Sequence, residues 1–167
     1  MGQVELEAVA HGAWPMSMYH DIVEARYGAG DHYEAALRLM TAGRRLASEI
    51  GSVLKEKGLT MPQWSVLTIL HLTPAEQIPL GRIAQALEVH GTTITNAVDR
   101  LADLGLAERA ADPADRRSVR AVITPQGADT ADAIMRSLAD RQFGLTQLSG
   151  SDLCTLSGLL DKTDRGV

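Results

Sequence analysis

The chain has 167 residues, a single cysteine, 4% aromatic residues and a formal net charge of −5. Its length suits one domain, or one core with helical extensions, and its Ala- and Leu-rich, aromatic-poor make-up favours packed helices over a sheet sandwich. The lone Cys154 excludes an internal disulfide framework, and the net acidity excludes a general attraction for phosphate along the whole chain. No charged-then-apolar leader and no apolar run near the roughly 18 residues of a membrane span is legible, so a cytoplasmic protein is expected.

Taken in order, residues 1–30 are mixed, with a helix expected from about Ser17 to Tyr27, closed by Gly28 and Gly30. A long helix should start at Asp31, which can cap it, and end at Gly58. Tyr33, Leu37, Met40, Ala47, Ile50 and Leu54 recur along it as one apolar stripe. Pro62 sits well in the first turn of the next helix, which carries Trp64, Val66, Leu67, Ile69 and Leu70. Pro74 and Pro79 frame a loop. Near the C-terminus, Thr124-Pro125 opens a helix with Ala128, Ala131, Ile134, Met135 and Leu138 on one side. Ser149 or Ser151 caps a last helix bearing Leu153, Leu156, Leu159 and Leu160, and Cys154 beside these leucines is expected to be a buried structural thiol.

Between these parts lies the run PLGRIAQALEVHGTTITNAVDRLADLGLAERAADPADRRSVRAVITPQG, from Pro79 to Gly127. It reads as helix, turn, helix and then a β-ribbon tipped by Asp115, Arg116 and Arg117, the order of a winged helix-turn-helix. In the second helix, about Gly91 to Leu104, a step of about 100° per residue gathers Ile94, Ala97, Val98, Leu101 and Leu104 into one arc. The opposite arc holds Thr92, Asn96, Asp99 and Asp103, flanked by Thr93, Thr95 and Arg100. Threonine and asparagine at the start of a groove helix suit base edges and phosphates, whereas the two aspartates confine DNA to the first two turns. Either aspartate can accept from a cytosine amino group or hold Arg100; a merely solvated helix face is the plainer alternative. Two short strands, Ala107 to Ala110 and Val119 to Ile123, form the ribbon, and an arginine at its tip can enter a narrow minor groove.

Charge by segment agrees with that placement. Residues 1–30 carry one base against four acids and residues 128–167 four against six, whereas 81–127 balances at six against six. Within 109–120, Arg109, Arg116, Arg117 and Arg120 face Asp112 and Asp115, a local +2 that matters within a Debye length of roughly 8–10 Å. So modest a surplus calls for two copies of the motif.

The stretch from about Leu59 to Gly127, with the wing pattern of Asp115, Arg117, Val122, Ile123, Thr124 and Gly127, resembles the MarR family of bacterial regulators. The resemblance extends to about 135 residues from Asp31 onward. It implies a mainly α fold with a small β-wing, in which a winged helix-turn-helix domain (61–124) carries dimerisation helices (31–60 and 125–165) behind an N-terminal extension (1–30). It also implies a homodimer on a pseudo-palindromic duplex DNA operator, with repression the expected outcome. Carried over by motif, Thr92, Thr93, Thr95, Asn96 and Arg100 contact DNA from the recognition helix, and Arg82 contacts the backbone from the helix before it. Arg116, Arg117 and Ser118 contact it from the wing, with Asp115 orienting Arg117.

The resemblance further implies a small aromatic or acyl effector in a crevice beside the dimerisation helices. Met40, Arg44, Trp64 and His71 are candidates for that pocket, with Trp14, Tyr19 and His20 if the N-terminal segment folds back. Met40 and Trp64 on apolar stripes are more simply core residues; Arg44 suits a ligand carboxylate or a partner-subunit glutamate. Five scattered histidines, without a His-x-x-x-His pair or a cysteine cluster, support neither a metal site nor catalysis, and no cofactor is expected. His90, at the turn of the helix-turn-helix, is expected to be a DNA-backbone or surface residue. The competing non-enzymatic function is a winged helix used only to dock another protein.

Overall fold

The computed structural model describes residues 16–75, 77–111 and 118–164. Seven helices appear among them: α1 (Met16–Tyr27), α2 (Gly30–Glu56), α3 (Met61–Leu72), α4 (Leu80–Ala86), α5 (Gly91–Asp103), α6 (Pro125–Asp140) and α7 (Gly150–Asp164). Three strands accompany them, β1 (Ile78–Pro79), β2 (Ala107–Ala111) and β3 (Val119–Ile123), and a 3-10 turn spans Gln142–Gly144. The chain divides into two compact units within α2, after Ala47.

In the first unit the N-terminus of α2 is not capped by Asp31 as its sequence position implies. Helix α2 begins one residue earlier, and the Gly30 N–H donates to the Glu24 carboxylate of α1 at 2.8 Å. Asp31 is instead drawn to His20, whose two ring nitrogens lie 3.1 Å from Asp21 Oδ1 and 3.0 Å from Asp31 Oδ1. Two carboxylates on one ring favour the imidazolium, and the His20 pKa is raised above 6.5, first by the Asp21 hydrogen bond and then by that of Asp31. Gly30 permits the contact: a Cβ there would lie 2.8 Å from the His20 carbonyl oxygen. The rings of Tyr19 and Tyr33 meet at 6.4 Å between centroids.

The second unit holds the core. Val53 and Leu54 at the end of α2 join Val66, Leu67 and Leu70 of α3, Ile83 of α4, Val98 and Leu101 of α5, and Ile134 and Leu138 of α6. Fully burying each such side chain stabilises the fold by about 1.5–3 kcal/mol. Helix α3 starts as its residues require, with Pro62 in the first turn and a capping box in which Gln63 Oε1 accepts the Thr60 N–H at 2.8 Å. The sheet is antiparallel in the order β1-β3-β2, with Ala107 opposite Ile123, Ala111 opposite Val119 and Ile78 opposite Ala121. Strand β1 replaces part of the loop that Pro74 and Pro79 are expected to frame; Pro79, as an edge residue, costs the ladder no donor.

Gly105 (φ +71) turns the chain from α5 into β2, a left-handed position that favours glycine. Thr124 then joins wing to helix. Its hydroxyl donates to the Gly105 carbonyl at 2.7 Å and accepts the Gly127 N–H at 3.0 Å. Gly127 lies against the wing entry so closely that a Cβ would fall 1.9 Å from the Leu106 carbonyl oxygen. The Thr-x-x-Gly spacing is therefore a cap and a close approach in one.

Three sequence expectations are corrected. Leu104, assigned to the apolar arc of α5, is its C-terminal cap and 47% exposed. The stripe on α2 buries only its C-terminal end in this chain; Tyr33 and Met40 are exposed. Cys154 is exposed, because α7 presents Leu153, Leu159 and Leu160 outward with it. Helix α7 is capped by Ser149, whose backbone N–H and hydroxyl both donate to Asp152 Oδ2 and hold that carboxyl below its usual pKa.

Candidate nucleic-acid interface

Helices α4 and α5 and the turn between them build the site. The turn is set by Glu88 in the left-handed region (φ 53), with the Val89 N–H donating to the Ala84 carbonyl at 3.1 Å. His90 is the N-cap of α5 and is exposed, and its carbonyl accepts the Thr93 N–H at 2.9 Å. Ile94, Ala97, Val98 and Leu101 are buried, which fixes the rotation of α5 and turns Thr92 and Asn96 to the exposed side.

The flanks of that exposed arc differ. On one side Thr93, Asn96 and Arg100 line a shallow groove of about 270 Å³ with Thr60, Pro62 and Gln63 from the start of α3. Gln63 and Thr60 were not singled out from sequence; the Thr-x-x-Gln capping spacing is the signal that places them there. On the wing side, Arg109 Nη1 of β2 is paired with Asp99 Oδ1. Both aspartates of the arc are covered, since Arg100 Nη1 lies 3.2 Å from Asp103 Oδ2. Thr95 is partly buried, and its hydroxyl donates to the Gly91 carbonyl at 3.1 Å. Arg82 on α4 is exposed and Ser118, at the foot of β3, is partly buried. The wing-tip assignments, Asp115, Arg116 and Arg117, lie outside the described residues, as does Trp14.

The effector candidates separate. Met40 is 57% exposed and Arg44 Nη2 donates to Thr41 Oγ1 at 3.2 Å, both within the first unit. Trp64 is core, at 7% exposure. His71 Nε2 lies 2.9 Å from Asp132 Oδ1, and Arg136 Nη2 is 3.2 Å from the other oxygen of that carboxylate, so His71 ties α3 to α6. The same histidine lines an open cleft of about 610 Å³ with Leu70, Thr73, Gln77, Val122 and Ile123. Among the described residues no group of three or more His, Cys, Asp or Glu is placed to hold a metal ion, and no helix is long and apolar enough to cross a membrane.

A helix pair joined by a tight turn, with a three-stranded sheet beside the second helix, defines a winged helix-turn-helix protein. Residues 57–118 match the model of the MarR family. A MarR family transcriptional regulator from Streptomyces coelicolor is 28% identical, with a TM-score of 0.74 over 80% of this chain and 93% of that one. A probable transcriptional regulator from Pseudomonas aeruginosa is 30% identical, with a TM-score of 0.65 over 77% of this chain and 95% of that one. The uncharacterised HTH-type transcriptional regulator YsmB of Bacillus subtilis is 31% identical over 86 residues, 47% of this chain; the match spans 58% of that relative's length. The chain belongs to the MarR family of transcription regulators.

Proposed function

We propose that the protein binds duplex DNA as a homodimer and regulates transcription by repression, α5 entering the major groove of a pseudo-palindromic site. The observation that carries this reading is the outward arc of α5, where Thr92 and Asn96 stand exposed opposite four buried residues. The acids on that arc are cancelled by Arg109 and Arg100, so nothing on it repels phosphate as a bare charge. Two fold neighbours were solved with DNA, a MarR mutant of E. coli with operator DNA and MepR of S. aureus. Pairing is supported by the exposed leucines of α7 and by Met40 on α2, apolar surface that a second copy would cover. A small aromatic or acyl effector acting beside these helices completes the proposal, with Arg44 the candidate for its carboxylate.

The test is a gel shift on DNA upstream of the gene, repeated across a salt series with the variants compared at one salt concentration. Binding should weaken steeply as salt rises, because each phosphate neutralised releases counterions. Asn96→Ala and Arg117→Ala should each weaken binding at least tenfold while the oligomer, measured by light scattering, persists. Salt-independent or absent binding to any duplex would favour protein docking. Unchanged affinity in Arg117→Ala would remove that residue from the interface. Titration with aromatic carboxylates and acyl thioesters tests the effector.

A further inference from the structure

The Asp99–Arg109 pair adds a charged link between α5 and β2, two elements already packed through Leu101, Leu106 and Ala107. Asp99 is in the third turn of α5, and its side chain is 47% exposed. On the helix it lies within roughly 20° of Thr92 and 60° of Asn96, so its carboxylate belongs to the arc proposed to face DNA. Arg109 stands in the middle of β2, where the ladder sets it opposite Ala121 on the central strand. Its position on the protein is thus fixed by the sheet rather than by the helix it touches.

A bare carboxylate at Asp99 would face the phosphates of either strand across less than a Debye length, and each phosphate within that range repels it. Arg109 cancels that charge. It also links the base of the wing to the recognition helix, so the angle between them is held before DNA arrives. Arg100 does the same for Asp103 from within the helix, by an i,i+3 pair. That second pair does not reach the wing.

Resting on the DNA-binding reading above, we infer that Arg109 is a positioning residue. It acts through Asp99, masking an acid on the recognition face and bracing the wing against α5, without itself contacting DNA. The prediction is a rescue pattern. Arg109→Gln should lower operator affinity about tenfold at low salt, an effect that shrinks as salt screens the uncovered Asp99. Arg109→Lys, which keeps the charge, should stay within about threefold of the wild type. Asp99→Asn alone should not weaken binding. The double variant Asp99→Asn/Arg109→Gln should recover to within about threefold of the wild type, because the charge needing cover is gone.

The four variants and the wild-type chain are compared by fluorescence anisotropy on one operator duplex across a salt series. Circular dichroism melts of each protein show whether it is folded at the assay temperature. A double variant as weak as Arg109→Gln overturns the inference, since Arg109 would then touch DNA directly or matter only to folding. A wild-type chain without salt-dependent binding overturns the DNA reading, and the inference with it. The two failures are told apart by the wild-type lane alone.

Discussion

Gly127→Ala adds one methyl group where the chain has no room. The new Cβ would stand 1.9 Å from the Leu106 carbonyl oxygen, 2.9 Å from its carbon and 3.0 Å from Ile123 Cγ1. Reaching even 3.0 Å from that oxygen, the lower limit of real contacts, requires an opening of 1.1 Å (3.0 − 1.9) between α6 and the wing entry. The obstruction is backbone, so no rotamer change relieves it. The shift also pulls on the Thr124 N–H to Leu106 carbonyl bond, which is 3.2 Å long. Overpacking of this kind costs about 3 kcal/mol at the upper end and loss of the hydrogen bond about 1, while alanine's better helix propensity returns about 1. The net destabilisation is about 3 kcal/mol. At about 2–4 °C per kcal/mol for a chain of this size, the melting midpoint should fall by roughly 6–12 °C. Gly81→Ala in α4, where no atom lies within 4 Å of the added Cβ, is the control and should melt at or slightly above the wild-type temperature. Thermal unfolding followed at 222 nm decides it; a Gly127→Ala midpoint within 1 °C of wild type refutes the steric argument.

Thr124→Val keeps the shape and removes both hydroxyl bonds, to Gly105 and Gly127, and should cost about 2 kcal/mol in urea denaturation, with Thr124→Ser close to wild type. Glu88→Gly relieves a left-handed non-glycine residue (φ 53) and should stabilise by about 1 kcal/mol, read as a higher urea midpoint at unchanged slope. His20, raised above 6.5 by Asp21 and then Asp31, contributes to α1 docking fully below pH 6.5. That contribution is lost as pH rises through the higher folded-state value. Hydrogen exchange in residues 16–27 should therefore quicken across that window more than the intrinsic rate explains, and His20→Gln should abolish the excess; a His20 ring titrating at or below 6.5 by NMR would refute the clasp.

The helix-turn-helix was legible because its periodicity is strong: the arc containing Ile94, Ala97, Val98 and Leu101 is buried as its spacing implies. The wing strands were expected at Ala107 to Ala110 and Val119 to Ile123, and the ladder runs over Ala107–Ala111 and Val119–Ile123; the expected Asp-Pro turn lies outside the described residues. Asp31 misled because its side chain has two uses, helix cap or partner for His20, and spacing along one helix cannot choose between them. Leu104 misled because hydrophobicity marks what a helix can bury, not where it ends. Cys154 was assigned to a core by its leucine neighbours, yet Leu153, Leu159 and Leu160 are themselves exposed here and Leu156 is only half-buried. Covering of Asp99 by Arg109 could not be read at all, since the pair is made by tertiary placement across ten residues and two elements.

The order β1-β3-β2 leaves the sheet with two margins, and each is blunted. Strand β1 is two residues long and ends in Pro79, which has no N–H to offer an incoming strand. Along the other margin β2 carries Glu108 and Arg109, and Arg109 is already tied down to α5. The small sheet is therefore a poor template for strand addition. The described edges of the sheet offer little to an incoming strand, so a second copy of the chain would have to meet this one through another surface.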